Sequence, residues 1–191
     1  MNRALTYDDV NIIPKYSELN SRGDVKLNTR FTKNTEITIP IVASPMDTVT
    51  ELDMAREMML WGGVGVIHRF MSIEEQAKMM KKLCYMPESD HIVITNNLPR
   101  CAAIGVTDDY LERSQELFKN GCNVLLIDVA HGHHKLVGEA IEKIKTRLEQ
   151  IEVVAGSVAT AEACEYLCEK GADAIRVGIG NGSLCETRIR T

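Results

Sequence analysis

From residue 37 onward, short apolar runs alternate with longer stretches in which apolar residues recur every three or four positions. The runs at 37–44, 64–68, 101–105, 123–128, 152–155 and 172–177 predict strands. They are near-continuous rather than alternating, the pattern of a parallel sheet covered on both faces. The stretches at 52–61, 108–120, 135–150 and 161–170, and another beginning at Ser72, predict helices. In the stretch at 135–150, Val137, Ile141, Ile144 and Leu148 share one face. Ser72-Ile-Glu-Glu75 reads as a capping box. Gly121 and Gly171 stand where a helix C-terminus needs a left-handed residue, and a strand follows each. Residues 84–100 carry Pro87, Asn96, Asn97 and Pro99 and predict an irregular connection, with a short strand at 92–94.

Repeated βα units with right-handed crossovers build either a doubly wound sheet or a (β/α)8 barrel. Composition does not choose between them, but the strand ends do. Ser44-Pro-Met-Asp47, His68-Arg69, Asp128-Val-Ala-His131, Gly156-Ser157 and the loop opening at Gly178 are all small or polar. Chemistry spread over the C-terminal ends of many strands is the barrel pattern, whereas a doubly wound sheet gathers its site at one switch point.

Composition and charge narrow the function classes. The 191 residues are 45% hydrophobic and 26% charged, with a net charge of −5, which excludes wholesale disorder. No polybasic run exists, so neither a nucleic-acid nor an anionic-membrane surface is expected. No signal-peptide core or membrane-length apolar stretch is present. Six cysteines at 84, 101, 122, 164, 168 and 185 form no CxxC pair. That spread fits reduced thiols in a cytoplasmic protein. Cys164 and Cys168, one helical turn apart, are expected in the core with Leu167, as are Met54, Met58, Met59, Met79 and Met80. His131, His133 and His134 lack a carboxylate or cysteine at a zinc-site spacing, so a zinc site is not expected there.

The densest chemistry lies in Gly178-Ile-Gly180-Asn-Gly182-Ser183-Leu-Cys185-Glu-Thr187-Arg188. Three alternate glycines after a buried strand let the backbone turn tightly. Such a loop can hold a cation through carbonyls, or a phosphate through N–H groups and the Ser183 hydroxyl. Cys185 at the mouth of a barrel is placed as a nucleophile; the alternative is a glycine-rich turn with a structural cysteine. A dinucleotide-binding fingerprint fails on spacing, because Ser183 stands where the third glycine belongs.

That loop resembles the catalytic-cysteine loop of the IMP dehydrogenase/GMP reductase family. The likeness extends through Leu5-Thr-Tyr-Asp-Asp-Val10, Ala43-Ser-Pro-Met-Asp-Thr-Val49, Gly65-Val-Ile-His68, Ile127-Asp-Val-Ala-His-Gly132 and Val154-Ala-Gly156, in the family's order. The resemblance implies a purine nucleotide oxidoreductase in which Cys185 attacks C2 of the purine and Thr187 assists. It implies nucleotide contacts from Ser44, Met46, Ser183 and Arg176, with Ser183 at the phosphate. Asp128 and Gly178 are implied on the NAD or NADP side, and Gly180, Gly182 and Cys185 as carbonyl donors to potassium. A homotetramer is also implied. Two positions depart from the family's pattern: Ser157 replaces an asparagine, and Glu186 stands where a small or apolar residue is usual.

The connection after residue 82 is too short for the family's regulatory pair of CBS modules, so none is expected. A (β/α)8 barrel typically needs about 250 residues. Residues 1–191 are therefore expected to be the N-terminal portion of a single catalytic barrel. About the first six βα units would be present, with the remaining strands supplied by further sequence or a second polypeptide. His68-Arg69-Phe70 and Arg190-Thr191 lean toward the reductase. Residues 44–51 and 72–76 look more like the dehydrogenase, which is the preferred expectation. The competing class is a non-catalytic barrel that binds a purine nucleotide without turnover.

Overall fold

The computed structural model describes Leu5, residues 7–84 and residues 98–180. Two short strands, β1 (Thr29–Arg30) and β2 (Glu36–Ile37), pair as an antiparallel hairpin. The βα units follow as β3 (Val42–Ala43), α1 (Leu52–Leu60), β4 (Val64–Ile67), α2 (Ile73–Cys84), β5 (Cys101–Ile104) and α3 (Tyr110–Lys119). They continue as β6 (Val124–Asp128), α4 (Lys135–Arg147), β7 (Glu152–Val158), α5 (Ala161–Glu169) and β8 (Ala174–Val177). Strands β3 to β8 form one parallel sheet in sequence order. A doubly wound sheet would reverse that order at a switch point. Here the sheet curls into six strands of a TIM barrel, open at β3 and β8.

Period-2 alternation sorts each strand between two cores. Val64, Val66, Cys101, Ala103, Val124, Leu126 and Val154 share the inner cluster. Ile67, Ala102, Ile104, Leu125, Ile127, Val153 and Ala155 pack outward against the helices. The predicted face of α4 is there, with Val137, Ile141 and Ile144 at 1% exposure or less. Gly121 and Gly171 take φ of 92° and 97° after α3 and α5, as a left-handed helix ending requires. The Ser72 box forms in both directions, Glu75 N donating to Ser72 Oγ and Ser72 N to Glu75 Oε2, each at 3.1 Å.

Three expectations need correction. Residues 37–44 are not one strand. Pro40 lacks an N–H and interrupts any ladder, and Thr38 N and Ile39 N donate instead to Gly62 O. Ile37 therefore closes the hairpin, while Val42 begins the barrel. Cys168 is exposed and Cys164 only half-buried, because Ala163 and Leu167 take the core-facing positions of α5. Met54 is likewise on the outside of α1, 41% exposed, while Ala55 and Met59 are buried. The strand expected at 92–94 lies outside the described residues.

The hairpin forms a floor under the barrel's N-terminal end. Glu152, the first residue of β7 and 8% exposed, accepts hydrogen bonds from Thr32 Oγ1 (2.5 Å), Thr35 Oγ1 (2.6 Å) and Asn34 N (2.8 Å). Phe31 and Ile37 pack into the inner cluster above it. Removing a charged acceptor strands several buried donors, so Glu152→Ala is expected to lower the unfolding free energy by about 3 kcal/mol. Urea denaturation measures this, and a change below about 0.5 kcal/mol, the size of an ordinary surface substitution, would refute the floor.

Candidate active site

The alternation that fills the inner core also aims the strand ends. Val124 and Leu126 face inward, so Asp128 at the end of β6 faces the same interior; Ala174 sets the same parity for Arg176. The two meet, Arg176 Nη1 lying 2.6 Å from Asp128 Oδ1. Both side chains are only partly exposed, 36% and 24%. A charge-assisted bond of this length fixes the guanidinium over the inner face. It also leaves the second carboxylate oxygen available to a ligand hydroxyl.

On the same face a cavity of about 250 Å³ opens between the first and last strands of the sheet. Ser44, Pro45, Leu126, Val154 and Arg176 line it. Ser44 and Arg176, both expected at the nucleotide, thus share one cavity although 132 positions separate them (176 − 44). Met46 follows at the rim and is half exposed. Gly178 turns the chain directly after β8 with φ 114°, its N–H donating to Val158 O at 2.7 Å. Gly180 takes φ 59°. Both values lie where glycine is favoured, so the backbone turns sharply at the start of the predicted loop. Gly182, Ser183, Cys185, Glu186 and Thr187 lie outside the described residues.

Three of the described cysteines, Cys84, Cys101 and Cys122, are poorly suited to serve as the nucleophile. Burial pushes Cys122 up to about 12 and holds Cys101 well above the ordinary thiol value. Burial also raises Cys84, the Arg100 charge opposing it. Attack requires the thiolate. His134 is accounted for as a helix cap, its Nδ1 accepting from Leu136 N at 3.2 Å, and His133 packs against Tyr166. Ser157 is buried at 7% exposure, with its backbone locked to the segment after β6: Ser157 N donates to Val129 O and Gly132 N donates to Ser157 O.

The structure gives partners to residues for which the motifs assign no role. Thr50, fully buried, donates its hydroxyl to Ser44 O at 2.7 Å. His68, 2% exposed, sits beside Glu51 with Nε2 3.4 Å from Oε1. Gln76 and Arg113 form a buried polar pair behind the end of β4. The available signal was Gln76 itself, a polar residue at the core-facing position of a helix that otherwise buries Ala77, Met80 and Leu83.

Comparison with known proteins bears on this arrangement. A family model described as the IMP dehydrogenase / GMP reductase domain matches residues 4–191. The inosine-5'-monophosphate dehydrogenase of Borreliella burgdorferi is 36% identical over 226 residues, covering 97% of this chain and 56% of that protein. The enzyme of the same name from Cryptosporidium parvum is 35% identical, covering 99% and 54%. The GMP reductase of Klebsiella pneumoniae is 34% identical, covering 98% and 53%. Identity does not separate the two activities. The chain spans a little over half the length of these relatives.

Proposed function

Because this chain belongs to the IMP dehydrogenase/GMP reductase family, we propose that it carries the nucleotide side of a purine nucleotide oxidoreductase, oxidising IMP to XMP with NAD and water. The observation that supports this reading is the shared cavity. Ser44 and Arg176 line one inner-face pocket that reaches down to Phe31, with Asp128 bonded to Arg176 beside it. A purine monophosphate is planar, polar at its edges and anionic, which suits an apolar-walled pocket with a fixed guanidinium.

In this reading the Cys185 thiolate adds to C2 of IMP, and C2 gives up its hydrogen as hydride. NAD, when bound, supplies the hydride acceptor. Cys185 is then joined to C2 of an oxidised purine; water adds at that carbon, the C–S bond breaks, and XMP leaves as the thiolate is restored. IMP, NAD and water thus give XMP, NADH and a proton. Thr187 assists the proton movements at C2, Ser183 holds the phosphate, and Met46 borders the base. Asp128, with one oxygen tied to Arg176, and the turn at Gly178 fit a ribose on the cofactor side. Gly180, Gly182 and Cys185 would turn carbonyls toward potassium; the sharp backbone at Gly180 fits the start of such a loop. The same reading includes a homotetramer in the cytoplasm and no CBS pair within residues 1–191.

The second reading is GMP reductase, kept open by a 34% identity to that enzyme of Klebsiella pneumoniae, close to the values for the dehydrogenases. There, GMP, NADPH and a proton would give IMP, ammonia and NADP through the same cysteine. One assay separates them: the protein at its natural length, with potassium, is given IMP plus NAD or GMP plus NADPH, and the nicotinamide absorbance is followed. A rise with the first pair supports the dehydrogenase, and a fall with the second supports the reductase. Silence with both refutes enzymatic turnover and leaves the non-catalytic binding barrel.

A further inference from the structure

We propose that Gln76 is a positioning residue for the nucleotide pocket, holding the end of β4 and, through it, the segment that carries Ser44. This inference rests on Ser44 being a nucleotide contact.

The reason lies in where a ladder stops. Strands β4 and β5 pair through Val66↔Cys101 and Ile67↔Ala102 and no further. Carbonyls just past the ladder's end need another donor if they are buried. Gln76 on α2, fully buried, supplies it. Its Nε2 lies 2.9 Å from both His68 O and Ala103 O and 3.3 Å from Ile67 O. Two hydrogens serve the two short contacts. Three carbonyls around one atom also settle which end of the amide is nitrogen.

The amide oxygen is engaged as well. Arg113 Nη1 donates to Gln76 Oε1 at 2.9 Å, and Arg113 is itself held by Asp109 Oδ2 (2.6 Å) and by Met71 O (3.2 Å). Arg113 is 7% exposed. On the other side, His68 N donates to Thr50 O at 3.3 Å, and the Thr50 hydroxyl donates to Ser44 O. An unbroken set of hydrogen bonds therefore runs from Asp109 at the start of α3, through Arg113, Gln76, His68 and Thr50, to Ser44 in the cavity. A buried, fully satisfied polar network in a low dielectric fixes geometry more firmly than apolar packing alone, because each alternative arrangement strands a polar group.

Gln76→Glu tests this. It keeps the volume and the Arg113 partner but loses the donor to three carbonyls. Hydrogen exchange at the amides of Val49, Thr50, His68 and Phe70 is expected to speed about tenfold, the loss of one well-made bond. Exchange along β6 and β7 is expected to stay within about twofold. In the same variant the KM for the purine nucleotide is expected to rise about tenfold with kcat changed less than about threefold, since ground-state positioning is what is lost. Thr50→Val cuts only the last link, and is expected to quicken exchange at Val49 and Thr50 while sparing Phe70. Unchanged exchange at these amides in both variants would overturn the proposal. So would loosening that reaches β6 and β7 equally, which would make Gln76 a general core residue. The exchange readout needs no turnover, so a protein silent with both nucleotide pairs would refute the enzymatic reading while the positioning result stood.

Discussion

A Cys185→Ala protein is expected to lose turnover by at least about 10³-fold while its affinity for the purine monophosphate changes by less than about threefold. The proposed chemistry makes a bond to sulfur, and alanine offers no atom for it. The two buried thiols of the inner and outer cores are poor substitutes. Cys101 and Cys122 are buried, and their raised pKa values keep them protonated at neutral pH. Binding should survive, because the described pocket groups, Ser44 directly after β3 and Arg176 on β8, belong to other segments than the one carrying Cys185. Steady-state rates and calorimetric titration of the nucleotide give both numbers. Activity within tenfold of the unaltered protein would remove Cys185 from the reaction; a parallel loss of binding would make it a structural residue.

The second large effect is expected at Gly156. This residue pairs with Asp128 on one side and Arg176 on the other. A Cβ built there would lie 2.6 Å from Arg176 O and 2.7 Å from Arg176 Cβ. Neither neighbour is the yielding tip of a flexible side chain, so β8 must move away from β7. Overpacking of this kind costs about 3 kcal/mol. It also draws Arg176 from Asp128, because a 2.6 Å ion pair does not survive a shift of an ångström unchanged. Gly156→Ala is therefore expected to lower stability and nucleotide affinity together, the latter by about tenfold or more. Thermal unfolding alongside nucleotide titration checks both. Full stability with full affinity would show that the β7–β8 spacing does not govern the site.

Much of this arrangement was written in the chain. Near-continuous apolar runs announced a sheet covered on both faces, and the glycines after α3 and α5 marked helix ends to the residue. The resemblance singled out Asp128 and Arg176, but that both face the interior follows only from the packing of Val124, Leu126 and Ala174 into the inner cluster. What the pattern could not carry was tertiary. Residues 37–44 read as one strand because their apolar content is uniform, yet Pro40 and the carbonyl of Gly62 split them between a hairpin and the barrel. Cys168 has the spacing of a core residue, but which side of α5 meets the sheet is decided by Ala163 and Leu167. The Thr50–His68–Gln76–Arg113 network is not spelled by any one motif. Its members are 63 residues apart at the extremes (113 − 50) and become partners only when β4, α2 and α3 pack. The Glu152 floor is hidden for the same reason, since its donors lie more than a hundred positions away.

If Cys185 carries the purine during turnover, mass spectrometry of a quenched reaction will find it there. The protein at its natural length is mixed with IMP, NAD and potassium, denatured in acid within the first turnovers, digested and mapped. A purine nucleotide attached to the peptide that contains Cys185 is expected, and no such species with Cys185→Ala. Turnover with the nucleotide attached to a different residue, or sustained turnover in Cys185→Ala, would contradict it.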